Sequence, residues 1–361
     1  MSPFKPHQYR DWYIACTTQD LRDSLRHPPI SRTVLGVPLV LFRGSHGQAI
    51  ALLDRCPHRN VPLSLGKVER HTVQGKPASH RLVCRYHGWQ FDEQGHCQNI
   101  PGLCPLVMEE NQRAIAYPTV EQQGFIWVYP TVETAPNHQP YHFPLVEQPK
   151  FSTFGWQMQA PISRENIAEN FLDATHTHFV HAGLIRSSHQ RRPVTVQITR
   201  GDRQVEAIYR GEQQISGLIY RLLAPGCREV ISIGRFLLPA IAQIEYQTDR
   251  NDYRLLMSLF ITPIDHQQVQ IHSVITFRWG KINWLGRLIG QPLFHQAMRQ
   301  DLNILLAQAK NLERFGGEQF AYTQLDLLRP HIDYLLQTPD EPTAQSPKPL
   351  SRFEKTIAIQ L

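Results

Sequence analysis

Two short loops constrain this chain more than any other feature: "CPHRN" at Cys56–Asn60 and "CRYHGWQF" at Cys84–Phe91. Each combines one cysteine with one histidine, as C-x-H from Cys56 to His58 and C-x2-H from Cys84 to His87, with 25 residues between them. Two thiolates and two imidazoles are a complete ligand set. That set admits a tetrahedral Cys2His2 zinc or a [2Fe–2S] cluster with two cysteines on one iron and two histidines on the other. Zinc patterns tend to hold a like pair in each loop, C-x2-C or H-x3-5-H. One of each in both loops suits a two-iron cluster gripped by two hairpin tips. Trp89 and Phe91 follow the second loop and are placed to shield such a cluster from water, which tunes its potential.

A second concentration of ligands lies downstream. "ENFLDATHTHFVHAG" sets Asp173, His176, His178 and His181 within nine residues. Two histidines and one carboxylate make the facial triad of non-haem iron sites, which leaves positions open for O2. At about 100° per residue on a regular helix, His178 and His181 share a face, whereas His176 and His181 lie about 140° apart. Geometry alone therefore leans to the 178/181 pair. The carboxylate must come from elsewhere. In "AMRQDLNILLAQAKNL", Asp301 is flanked at helical spacing by Met298, Leu305 and Leu312. An ionised carboxylate on an apolar helix face is costly unless paired or metal-bound. Asp326, Asp265 and Asp252 are the solvated alternatives.

The remaining sequence sets the frame. Hydrophobic content of 41% with 19% charged residues describes a globular chain, and 361 residues allow two domains with real cores. The net charge of +6 comes from dispersed Lys and Arg with no basic helix or RNA-binding motif, which argues against nucleic acid. Six cysteines in a chain of this length are not a disulfide framework. Cys97 and Cys104 are close enough in sequence to pair locally, with buried free thiols as the favoured reading. The first residues lack a signal-peptide apolar run, and "INWLGRLIGQPLF" is too short and interrupted to span a bilayer. A cytoplasmic protein without a membrane span is expected.

The N-terminal third reads as short strands, with a hairpin in "TVLGVPLVLFRGSHGQAIALLD". A proline-rich stretch over 131–150 reads as a linker. The β-rich runs of 194–278 predict an antiparallel sheet, "LFHQAMRQDLNILLAQAKNLERFGG" a helix ended by Gly316 and Gly317, and 331–361 a tail. The expected division is 1–130, 131–150, 151–330 and 331–361.

The segments "CPHRNVPLSLGKVE" and "LVCRYHGWQFDEQGHCQNIPG" closely resemble the cluster loops of Rieske non-haem iron oxygenases, and the resemblance covers most of the first 130 residues. "HTVQGKPASHR", a long insertion between the loops, departs from the family and reads as a lengthened surface connection. Tyr86 and Val61 stand where the respiratory branch carries a bridging disulfide, so the resemblance is to the oxygenase or ferredoxin branch. It implies a [2Fe–2S] Rieske cluster on Cys56, His58, Cys84 and His87. The family pattern N-x2-D-x2-H-x4-H is matched by Asn170, Asp173, His176 and His181. This implies His176 and His181, against regular helical geometry, as ligands of a mononuclear Fe(II), with Asp301 from a late helix as the third.

In the family the residue matching Asp173 links an iron histidine to a cluster histidine of the neighbouring subunit, which implies inter-subunit electron transfer and a head-to-tail homotrimer. Asn170 is a candidate lining residue of the iron pocket. The implied fold is α+β: an all-β Rieske domain followed by a helix-grip (START/Bet v1-like) catalytic domain with an antiparallel sheet. The implied activity is a terminal oxygenase that uses O2 on a hydrophobic cyclic or aromatic organic substrate, with mono-oxygenation or demethylation favoured over dihydroxylation. With no GxGxxG or flavin motif, an external ferredoxin or flavin reductase must supply electrons. The competing readings are a non-catalytic Rieske electron carrier with a degenerate ligand-binding domain, and a zinc-stabilised binding module.

Overall fold

The computed structural model describes residues 4–72, 74, 75, 77–103, 112–186, 191–213, 218, 229–248, 253–279, 283–338 and 352–361. The chain divides into two compact units, Met1–His142 and Phe143–Leu361.

In the first unit the chain runs through β1 (Tyr13–Thr17), β2 (Ile30–Val34), β3 (Val37–Arg43), β4 (Ala49–Leu53), β5 (Lys67–His71) and β6 (Ser79–Val83). It continues with β7 (Gln90–Phe91), β8 (Cys97–Asn99), β9 (Ala116–Tyr117), β10 (Thr119–Gln122) and β11 (Phe125–Val128). These form three antiparallel sheets with orders β1-β11-β10, β2-β3-β4-β9 and β5-β6-β7-β8. The hairpin expected in 33–54 is β3–β4, closed by Gly44 N–H donating to Gln48 O at 2.8 Å. Of the inserted segment, His71 and Ser79–Arg81 lie in the β5–β6 hairpin, whose His71↔Ser79 pair is at the end farther along the strands from Cys84. Leu52, Leu63, Leu82 and Phe91 are fully buried beside Cys56, Cys84 and Cys97. Each such side chain contributes about 1.5–3 kcal/mol, so the cluster loops rise directly from the unit's core.

The stretch read as a linker starts as part of this unit. Trp12 Nε1 donates to His138 O at 2.8 Å, and Gln122 Nε2 donates to Tyr141 O at 3.0 Å. These bonds hold the chain down, and the division falls after His142.

The second unit is one eight-stranded antiparallel sheet with helices. Its elements are β12 (Ser152–Ala160), α1 (Arg164–Leu172), β13 (Pro193–Arg200), β14 (Gln204–Gln213), β15 (Glu229–Leu237) and β16 (Ile241–Thr248). They are followed by β17 (Tyr253–Pro263), β18 (Val269–Trp279), α2 (Asn283–Phe315), α3 (Arg329–Gln337) and β19 (Phe353–Gln360). The strand order is β12-β18-β17-β16-β15-β14-β13-β19. Period-2 alternation turns Val205, Ala207 and Tyr209 of β14 inward, where they join Leu305 of α2 and Ile332 and Leu336 of α3 in one core. This is the antiparallel sheet gripped by helices that the sequence implies.

The reading of 331–361 as a tail is corrected. Residues 329–337 are helical, and 353–360 form an edge strand registered on β13 from Pro193↔Gln360 to Arg200↔Phe353. Alternation in "FEKTIAIQ" buries Ile359 and half-buries Phe353 and Ile357 against the core, which is what holds the strand there. The Pro/Thr/Ser/Gln-rich 339–351 that prompted the tail reading lies outside the described residues, as do Cys104 and Asp252. Cys16, Cys56, Cys84 and Cys97 are all buried free thiols. The late helix also starts earlier than its sequence signal, taking in the apolar "NWLGRLIG" and Pro292. Among the described residues, no helix is long and apolar enough to cross a membrane.

Candidate metal centres

The two Cys–His loops are built by the same backbone rule. Cys56 N–H donates to Val61 O at 2.9 Å, and Asn60 N–H returns to Cys56 O at 2.9 Å. Cys84 N–H donates to Trp89 O at 2.8 Å, and Gly88 N–H returns to Cys84 O at 3.0 Å. In both, the fourth residue after the cysteine takes a left-handed conformation, φ +58° at Asn60 and +73° at Gly88. Asparagine and glycine are the residues that tolerate that region. At Gly88 a Cβ would in addition come within 3.0 Å of Pro101 Cγ. Gly66 brings the loops' bases together, since a Cβ there would sit 2.1 Å from Val83 O, next to Cys84.

The four candidate ligands segregate by type. Burial, and then the neighbouring Cys84 thiol, push the Cys56 thiol up to about 11. His58 and His87 face each other with ring centroids 4.6 Å apart. Trp89 stacks on His58 at 4.8 Å and 7°, and exposed Tyr86 packs on His87 at 3.9 Å. His58 Nδ1 is buried without a hydrogen-bond partner. Sulfur facing sulfur and imidazole facing imidazole fit two metals bridged between the loops. Among the described residues, one trio of His, Cys, Asp or Glu side chains has ligand atoms all within 4.8 Å of one another, and it lies elsewhere in the chain.

That trio is His176, His181 and Asp301. Ser163 caps the start of α1 by accepting from Asn166 N–H at 3.3 Å, and the helix stops at Leu172 with Asp173 extended at φ −74°, ψ 120°. The Asp173 carboxylate then accepts from Thr175 N–H at 2.7 Å and His176 N–H at 3.1 Å. The competition of aspartate with the helical ladder ends the helix. His176–His178 follow as a single 3₁₀ turn. The periodicity that favoured His178 with His181 therefore does not apply here. His178 is buried but outside the trio, and Arg186 staples the turn by donating from Nη1 to Ala174 O and Thr177 Oγ1, both at 2.7 Å.

α2 brings in Asp301 from the far end of the chain. Its Oδ1 lies 2.9 Å from His181 Nε2 and 3.3 Å from His176 Nε2, yet Oδ1 and both His176 nitrogens are buried with no hydrogen bond of proper geometry. His176 Nε2, His181 Nε2 and Asp301 Oδ1 gather within the spacing that ligands of one cation keep. Burial disfavours the charged His176, but Asp173 and Asp301 outweigh it and raise its pKa to about 9. Burial likewise opposes ionisation of Asp301 and Asp173, and the facing imidazoles hold both carboxyls below their usual range. Asp173 Oδ2 lies 3.4 Å from His176 Nδ1. A site that keeps two carboxylates ionised around imidazoles has a place for positive charge, and N2O donors suit non-haem iron.

The trio lines a partly enclosed cavity. Its other walls are mainly apolar, with Trp156, Phe171, Ile233, Met257, Phe277 and Phe294 prominent. Asn170 is not among them and instead lines a separate hollow against Leu325 and Arg329. Of the alternative carboxylates, Asp265 accepts from Gln267 N–H in a turn and Asp326 from Thr323 Oγ1. Sequence reasoning did not single out Arg186, which carries no local signal, and assigned no role to Gln300.

A Rieske fold at the N-terminus joined to a helix-gripped oxygenase domain defines the class. Residues 11–115 match the Rieske [2Fe-2S] domain model, and 162–333 match that of the vanillate O-demethylase oxygenase C-terminal domain. The chain belongs to the Rieske oxygenase alpha-subunit family. It is 30% identical over 206 residues to the vanillate O-demethylase oxygenase subunit of Pseudomonas sp. (strain HR199 / DSM 7063), covering 55% of this chain and 52% of that protein. It is 32% identical over 201 residues to the chloroplastic pheophorbide a oxygenase of Oryza sativa subsp. japonica, covering 52% and 35%. The aligned region thus spans about half or less of these relatives' length. In fold it is similar to dicamba monooxygenase bound to 3,6-dichlorosalicylic acid, with TM-score 0.73, 22% identity and coverage of 91% and 97%. It is equally similar to Pseudomonas putida CBB5 NdmA with caffeine, with TM-score 0.73, 19% identity and coverage of 97% of each chain.

Proposed function

We propose that this chain is the terminal oxygenase of a multicomponent system, with Cys56, His58, Cys84 and His87 holding the [2Fe–2S] cluster and His176, His181 and Asp301 holding a mononuclear Fe(II). The observation that carries the reading is the convergence of His176 Nε2, His181 Nε2 and Asp301 Oδ1 on the wall of a mainly apolar cavity, with His176 Nε2 and Asp301 Oδ1 buried without a hydrogen-bond partner. Iron bound there supplies O2 activation, since three protein ligands leave positions open. The protein's part is to present two imidazoles and one carboxylate, with His176 giving up its proton on metal binding, to exclude water with the aromatic and aliphatic walls, and to hold a substrate beside the metal. Those walls favour a hydrophobic cyclic or aromatic substrate. Relatives named as O-demethylases favour demethylation or hydroxylation over dihydroxylation. Asp173, beside His176, is proposed as the residue through which electrons from a neighbouring subunit's cluster pass in a homotrimer, with an external ferredoxin or flavin reductase as donor.

The test is metal content together with O2 uptake. An oxygenase holds about three irons and two sulfides per chain, and shows reductase-dependent O2 uptake stimulated by some member of a panel of aromatic methyl ethers. Two irons with no stimulated uptake establish the electron-carrier alternative instead.

A further inference from the structure

His181 is straddled by consecutive residues of α2. Its Nε2 lies 2.9 Å from Asp301 Oδ1, while its Nδ1 lies 2.8 Å from Gln300 Oε1. Adjacent helical residues point about 100° apart, so one turn of α2 places a carboxylate on one edge of the ring and an amide on the other. His181 is 1% exposed, so water has little access to either nitrogen.

We infer that Gln300 is a positioning residue for the mononuclear metal, fixing the tautomer of His181. An amide oxygen only accepts, so the proton of neutral His181 sits on Nδ1 and donates to Gln300. The Nε2 lone pair then faces the Asp301 carboxylate, acceptor toward acceptor, and needs a cation to reconcile them. This agrees with Asp301 Oδ1 lacking a hydrogen-bond donor. The two histidines are held differently. His176 Nδ1 has the charged Asp173 Oδ2 at 3.4 Å, and His181 Nδ1 has a neutral amide at 2.8 Å. A neutral acceptor orients His181 without adding negative charge to a site already enclosed by two carboxylates. The inference rests on the proposed metal reading.

The experiment uses the full chain with its cluster intact, stripped of mononuclear metal by a chelator and titrated with Co(II), with binding read from d–d absorption. Gln300→Met keeps the side-chain length and removes the acceptor. Gln300→Glu keeps an acceptor. Gln300→Met should weaken Co(II) binding by about 10–100-fold, as loss of a partner to a ligating histidine does, with the cluster spectrum unchanged. Gln300→Glu should restore affinity to near that of the unaltered protein. Unchanged affinity in Gln300→Met, or Gln300→Glu binding no better than Gln300→Met, overturns the inference. No Co(II) uptake by the unaltered protein overturns the metal reading itself, a different result.

Discussion

The two candidate centres are held by different means. In the cluster loops the backbone does the holding: a pair of main-chain hydrogen bonds repeats around Cys56 and Cys84, with a left-handed residue at the same step in each. At His176, His181 and Asp301 side chains do it, through Asp173, Gln300 and the Arg186 staple. A backbone-made site is written in contiguous residues and tolerates change at its periphery. A side-chain-made site is assembled from distant segments and is sensitive to residues that touch no metal.

Cys84→Ser presses hardest on the contrast. A hydroxyl replaces a thiolate, and the [2Fe–2S] absorption and EPR signals should vanish completely. An intact cluster spectrum would remove Cys84 from the ligand set. At the second centre, His176→Ala and His181→Ala should each lose the mononuclear iron and all turnover, with the cluster signals retained. His178→Ala should keep the iron, and metal analysis showing the reverse pattern for His176 and His178 would return the choice to regular helical geometry.

Asp173→Asn is gentler. The carboxylate accepts from Thr175 N–H and His176 N–H on separate oxygens, and the single amide oxygen can keep one of these bonds; Asp173 is not itself in the proposed ligand set, so both metals should stay bound. Delivery of electrons to the iron should nevertheless fall by about 10-fold or more, the scale of losses at partners of ligating histidines. Single-turnover oxidation of pre-reduced cluster with substrate and O2 measures this, and an unchanged rate would leave Asp173 a helix-ending residue only. The smallest effect separates the two loops. Gly88→Ala imposes left-handed strain of about 1–2 kcal/mol and crowds Pro101, whereas Asn60→Gly relieves strain. Thermal unfolding of the Rieske unit should shift down for the first and not for the second, and equal shifts would break the loops' equivalence.

The same contrast explains what the sequence discloses. Ligands within a few residues of each other and repeated, as in "CPHRN" and "CRYHGWQF", can be read directly because local backbone geometry places them. Asp301 was legible from the cost of a carboxylate on an apolar helix face. His176 was not legible from periodicity, because Asp173 withdraws backbone donors from the helix and ends the period on which the comparison with His178 relied. Gln300 and Arg186 act across tertiary contacts and leave no spacing to detect. The last strand was hidden differently: its alternation in "FEKTIAIQ" is present, but the polar stretch before it invited reading the whole end as a tail.

That strand has a consequence for how the protein is made. β19 pairs with β13 across Val194↔Ile359, and Arg192 and Leu361 exchange main-chain hydrogen bonds in both directions. During synthesis the ribosome releases β13 long before its edge partner exists. Until residues 353–360 emerge, one margin of the sheet presents unpaired amides and carbonyls, the kind of template on which nascent chains associate. The window of vulnerability closes when β19 pairs, so a chain stalled before Phe353 leaves the second unit with an open, adhesive edge.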